Sequence, residues 1–115
     1  MSKKNYGIPD NVLSEIKVRD KLCVYCHKLM IYPDQAPKCV DSPSIEHLKY
    51  GGPIYWSDGL CKDGIVICCI SCNSSRDSKR LTDWFKSKYC INKNINSDTV
   101  ADPVKSYLQS DTCMD

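Results

Sequence analysis

Apolar and polar positions along the chain sort into short elements separated by turn-rich stretches. "DNVLSEIKVRD", Asp10 to Asp20, sets Val12, Leu13 and Ile16 on one stripe at helical spacing, and Asp10 or Asn11 can cap it after Pro9. "KLCVYCHKLMIY" alternates too irregularly for a helix, and predicts a turn carrying Cys23 and Cys26 between short extended flanks. Residues 33–44 hold Pro33, Pro37 and Pro43 without a helical period, and read as a loop. "SIEHL" is a short strand candidate. "KYGGPIYWSDGLCKDG" is a connection with turn chemistry at Gly51, Gly52 and Pro53. "IVICCI" is a β-branched run that suits a buried strand.

Helices follow. Asn73 to about Lys79 reads as a short one. Leu81, Trp84, Phe85 and Tyr89 follow an i, i+3, i+4, i+8 pattern that predicts a second over Leu81 to Tyr89. Asp102 then looks like an N-cap with Pro103 at the first helical position, and Val104, Tyr107 and Leu108 as the apolar side. The fold class expected is α+β. The 115 residues suit a single domain, with a core over about 10–90 and a helical extension over about 98–110.

No run approaches the ~18 apolar residues of a membrane span. The opening "MSKKNYGIPD" lacks the apolar centre of a signal peptide. The expectation is an intracellular protein without a membrane partner.

Cysteine changes the picture. There are nine in the chain. A secreted disulfide scaffold usually shows an even set behind a leader. The odd count and two C-x-x-C pairs, Cys23/Cys26 and Cys69/Cys72, favour reduced metal ligands instead. Zinc takes four ligands tetrahedrally, and each C-x-x-C turn offers two thiolates, so two turns complete the shell. Neighbouring strand residues point to opposite faces, so if Cys69 turns to the metal, Cys68 turns away and packs as a small hydrophobe. Cys39, Cys61, Cys90 and Cys113 have no partner by spacing. His27, beside the first pair, is expected to pack or be exposed.

Charge adds less. The net charge is +2, but residues 64–93 hold six basic and two acidic groups. A basic stretch directly after "CCISCN" suits phosphate contacts, although a solvated helix face accounts for charge alone.

The order of motifs is more specific than any one of them. A helix ending in "RD" precedes "CVYC", "SIEHL", "GG", "IVICCISCN", "SSRDSK" and "LTDWF". This order, over about residues 10–86, resembles HNH endonucleases of the subgroup whose ββα-metal motif (the His-Me finger) is buttressed by a four-cysteine zinc site. Phage Holliday-junction resolvases of the endonuclease VII type and many small phage and bacterial HNH nucleases are built this way. The resemblance implies a small zinc-stabilised ββα-metal domain with flanking helices. It implies structural zinc on Cys23, Cys26, Cys69 and Cys72, and a separate catalytic Mg²⁺ or Mn²⁺ held by Glu46 and Asn73. His47 matches the general base. The substrate implied is DNA, cut to 3′-hydroxyl and 5′-phosphate ends, and the resolvase relatives make a homodimer an expectation. The chain has Glu46 where most members have Asp, and Gly64, beside Asp63, where the middle Asn stands.

The chemistry of such a site is plain. A hard divalent ion prefers oxygen ligands and polarises a phosphate. A histidine with an ordinary pKa near ~6.5 takes a proton from the attacking water at neutral pH. Arg76, Lys79 and Arg80 follow Asn73 and are expected to face the phosphate backbone, with Arg76 nearest the site. Trp84, Phe85, Tyr25 and Trp56 are expected in core or loop packing. The other reading is a non-catalytic zinc-knuckle module that binds nucleic acid or protein; it would bind without cleaving.

Overall fold

The computed structural model describes residues 7–32, 37–49 and 64–109. The predicted connection through Gly51, Gly52 and Pro53, with Trp56, Cys61 and Asp63, lies outside these residues, as does Cys113. Among the described residues, seven elements follow in order: α1 (Asp10–Arg19), β1 (Pro43–His47), β2 (Ile65–Cys69), α2 (Ile70–Arg76), α3 (Leu81–Trp84), α4 (Lys88–Lys93) and α5 (Asp102–Gln109). The fold is a small α+β arrangement around one two-stranded antiparallel sheet.

β1 and β2 pair from Pro43 opposite Cys69 to His47 opposite Ile65. Leu48 extends the ladder past the strand end by donating its N–H to the Gly64 carbonyl at 2.8 Å. All five residues of β2 are buried, as a β-branched run with few polar atoms demands. A two-stranded sheet has two free edges, and unpaired backbone groups inside a protein are costly. Both edges are covered here. On the β2 side, Asp20 accepts the Ile67 N–H at 3.0 Å and Arg19 donates to the Ile65 carbonyl at 2.7 Å. On the β1 side, the carbonyls of Ile45 and His47 accept from Asn73 and Arg76 of α2, at 3.3 and 2.8 Å.

α1 stops at Arg19, one residue before the predicted Asp20, and Pro9 rather than Asp10 or Asn11 sits at its N-cap without a side-chain hydrogen bond. Asp20 leaves the helix because its carboxylate is needed on β2, where it is 3% exposed. α2 begins at Ile70, three residues before the predicted start. The reason is local: Cys69 ends the strand and serves as the N-cap, so the turn from Cys69 to Cys72 is also the first turn of the helix. Asn73 therefore sits inside α2 and does not open it.

The helix predicted over Leu81 to Tyr89 is two helices. α3 ends after Trp84, and Ser87 starts α4 by accepting the Cys90 N–H. A serine that caps competes with one more turn of regular helix, and here the cap wins. The apolar pattern still builds the core, since Leu81 and Trp84 are buried and Phe85 and Tyr89 pack against it. Trp84 is its centre: Tyr25 meets it edge-on at 4.9 Å, and Tyr89 stacks on it at 6.0 Å. α5 includes Asp102 as its first residue, with Val104 buried and Tyr107 and Leu108 half-buried against the core. Among the described residues, no helix is long and apolar enough to cross a membrane.

Candidate metal centre

Cys23 and Cys26 sit on a tight turn. Leu22 and Leu29 pair across its base, the Cys23 N–H donates to the Lys28 carbonyl at 3.0 Å, and the His27 N–H returns to the Cys23 carbonyl at 2.9 Å. His27 closes the turn in the left-handed region, at φ 64°. Its ring is exposed and bonds to the Thr99 carbonyl, away from the sulfurs. The second pair comes from the β2–α2 junction, Cys69 from the strand end and Cys72 from the first helical turn. The Val24 N–H, within the first turn, reaches the Ile67 carbonyl at 3.4 Å, so the two halves are already joined by backbone.

The result is a four-sulfur cluster. The Sγ atoms of Cys23, Cys26, Cys69 and Cys72 all lie within 4.8 Å of one another, and those of Cys26 and Cys69 are 3.9 Å apart. A tetrahedral zinc with bonds of ~2.3 Å puts sulfurs about 3.8 Å apart. The donor set therefore fits zinc in number, type and spacing. Cys23, Cys69 and Cys72 are buried and Cys26 half-buried. Hydrogen bonds from Cys23 and Cys72 draw the Cys69 thiol down from its ordinary value, and hydrogen bonds within the same cluster push the Cys72 thiol up. Cys68 lies on the other side of β2, as strand alternation requires. It packs beside Ser44, and burial pushes its thiol up. Cys90 is buried and Cys39 exposed, and neither joins the cluster.

Next to this centre, α2 crosses the face of β1 that carries Ser44 and Glu46. Asn73 gives one N–H to Ser44 Oγ at 3.0 Å and one to the Ile45 carbonyl at 3.3 Å. The amide oxygen is left as its remaining ligand atom. Ser44 in turn donates to the Cys68 carbonyl at 3.0 Å. Asn73 thus links the cysteine-bearing β2–α2 junction to the strand that holds Glu46 and His47.

Glu46 is placed otherwise than its proposed role requires. Its carboxylate accepts from the Tyr25 hydroxyl at 2.5 Å and from Arg76 Nη1 at 3.1 Å, and the residue is 4% exposed. Burial pushes its pKa up, against the pull of Arg76 and the Tyr25 hydrogen bond. A hard cation needs an oxygen with room for waters, and a guanidinium already occupies the space beside this one. Glu46 as it stands does not fit a first ligand of a divalent ion.

Arg76 is the matching correction. Expected to face the phosphate backbone nearest the site, it is 1% exposed. Its Nε donates to the Lys79 carbonyl at 2.8 Å, Nη1 to the His47 carbonyl at 2.8 Å, and Nη2 to the Leu48 carbonyl at 2.6 Å. The guanidinium fork is used up on backbone and on Glu46, so it cannot reach a phosphate. Lys79 and Arg80 are exposed, in the connection between α2 and α3.

His47 ends β1, half-buried, and strand alternation sets it on the face opposite Glu46. Burial, then the charge of Arg76, lowers its pKa from the ordinary value. Both causes favour the neutral imidazole at this position. Two residues that spacing did not single out belong to this region: Asp20, which anchors β2, and Tyr25, which bonds Glu46 from inside the first cysteine turn. Neither gives a sequence signal, since each acts through a partner more than twenty positions away. Comparison with protein-family models, with curated proteins and with solved structures gives no match.

Proposed function

We infer that the chain is a zinc-stabilised HNH-type endonuclease that hydrolyses phosphodiester bonds in DNA, with His47 as general base. The observation that carries this reading is the position of Asn73. It sits one residue beyond Cys72, with its amide bonded to β1 at Ser44 and Ile45, in the order β1, β2, α2 that the resemblance implies. Zinc held by Cys23, Cys26, Cys69 and Cys72 would fix the start of α2, and so the distance from that helix to the strand end.

His47 supplies the base. In its neutral form the ring takes a proton from a water attacking the phosphorus, while the bond to the 3′ oxygen breaks and that oxygen takes a proton from solvent to leave as the 3′-hydroxyl. Arg76 holds the carbonyls of His47 and Leu48 and so fixes the backbone from which that ring extends. Lys79 and Arg80, exposed in the connection after α2, would meet the phosphate backbone. Asn73 keeps its place beside the strand; Glu46 is a buried anchor for Arg76 and Tyr25, and the ligand role the resemblance gives it is not adopted.

One observation favours a second reading. With Glu46 committed inside the protein, a module that binds nucleic acid without cutting it has the same zinc centre and the same exposed Lys79 and Arg80. Supercoiled plasmid separates the two. The zinc-loaded protein, with Mg²⁺ or Mn²⁺ added, should nick it, and His47→Ala should not. Binding by both proteins with cleavage by neither would favour the second reading.

A further inference from the structure

α4 sets a phenol against the sulfur cluster. The Tyr89 hydroxyl donates to Cys72 Sγ at 3.2 Å, and Ser71 Oγ lies 2.9 Å from the same hydroxyl. A metal-bound thiolate carries no proton and only accepts. The phenol has one hydrogen. When that hydrogen goes to sulfur, the Ser71 hydroxyl is left to donate to the phenol oxygen, and a directed chain runs from Ser71 through Tyr89 to Cys72. The ring is held for this on both sides. It stacks on the buried Trp84 with an interplanar angle of 27°, and Lys93 Nζ lies 5.2 Å from its centroid. The Ser87 cap fixes where α4 begins, two residues before the ring. Ser71 is fixed as well, since its N–H donates to the Val40 carbonyl at 3.0 Å.

We propose that Tyr89 is a positioning residue for the four-cysteine metal centre, its hydroxyl, oriented by Ser71, holding the Cys72 thiolate on the ion. A hydrogen bond withdraws charge from the sulfur. The bound thiolate then accepts stray protons and attacks electrophiles less readily, and the ion exchanges more slowly. Groups that bond to first ligands commonly change metal affinity by about 10–100-fold when removed. The proposal rests on the metal reading of the cluster and is independent of nuclease activity.

Two readouts test it. Tyr89→Phe keeps the stacked ring and removes only the hydroxyl. Transfer of zinc from the folded protein to a chromophoric chelator should speed up by about tenfold. In the cobalt-substituted protein, the thiolate-to-cobalt charge-transfer band should move to longer wavelength, because the sulfur donates more charge. Ser71→Ala should shift both in the same direction by less, and it serves should Tyr89→Phe fold poorly. Release within twofold of wild type with an unmoved band, in whichever of the two variants folds, would overturn the proposal. A wild-type protein that gives no cobalt–thiolate band removes the metal centre, and the proposal with it.

Discussion

Arg76 Nη1 lies 3.1 Å from Glu46 Oε2, with both side chains almost wholly inside the protein. This pair ties the end of α2 to β1, and the remaining donors of Arg76 hold three backbone carbonyls. A buried ion pair gains little over a well-packed apolar pair, but breaking one costs much. Arg76→Met should therefore destabilise by about 3–5 kcal/mol, since it orphans a buried carboxylate. Glu46→Gln keeps an acceptor for Tyr25 and Arg76 and should cost less, about 1–3 kcal/mol. Urea unfolding of the zinc-loaded protein measures both. A Glu46→Gln protein as stable as wild type would mean that the carboxylate serves a ligand and not the fold.

The depressed pKa of His47 fixes the sign of the pH dependence. Nicking by a neutral imidazole should fall on the acid side with a midpoint below the ordinary ~6.5, and stay level through neutral pH. Stability follows the same residue. As pH drops below ~6.5 the unfolded chain takes the proton before the folded one does, so His47 removes stability from there down to its folded pKa. A nicking profile with its acid midpoint at or above the ordinary ~6.5, or a nuclear magnetic resonance titration of the His47 ring giving such a value, would contradict the burial that the structure shows.

Much of the fold was legible because its signals are local. The β-branched run marked β2, and the alternation rule separated Cys69 from Cys68 on sequence alone. The two C-x-x-C spacings pointed to the cluster, since each pair needs only its own turn to bring two sulfurs together. What spacing missed depends on distant partners. Arg76 reads as a surface cation in "SSRDSK", and nothing beside it tells that Glu46 and the carbonyls of His47 and Leu48, some thirty positions earlier, will close around it. Glu46 carries the same ambiguity in reverse. Its position on the strand was clear, but whether its carboxylate faces an ion or an arginine is decided by α2. The break between α3 and α4 was hidden because the apolar stripe continues through it, while Ser87 ends it by a single capping bond.

Lys79 and Arg80 are the first two exposed cations after Asn73. Replacing both with alanine should weaken DNA binding about equally for every sequence tried, as the removal of phosphate-binding cations does. The slope of log K against log salt should become shallower by roughly 0.9 for each phosphate no longer neutralised. Fluorescence anisotropy on two unrelated duplexes over a salt series reads this directly. An unchanged slope would place the nucleic-acid surface elsewhere.

Asn73 gives a smaller and more local expectation. Asn73→Ala removes hydrogen bonds to Ser44 and Ile45, each worth about 1 kcal/mol. A loss of about 2 kcal/mol in urea unfolding is expected, together with loss of nicking and retention of zinc. Loss of zinc in this variant would show that the amide supports the sulfur cluster and not the strand.

Fold and proposed site both depend most on whether Cys23, Cys26, Cys69 and Cys72 hold a metal. Elemental analysis of protein purified without chelator, with thiol titration alongside, tests it directly. One zinc per chain is expected, lost in Cys69→Ser together with the folded circular dichroism signal, because such a site contributes on the order of 10 kcal/mol to folding. A folded protein without bound metal, or with the sulfurs of Cys23, Cys26, Cys69 and Cys72 joined in disulfides, would contradict it.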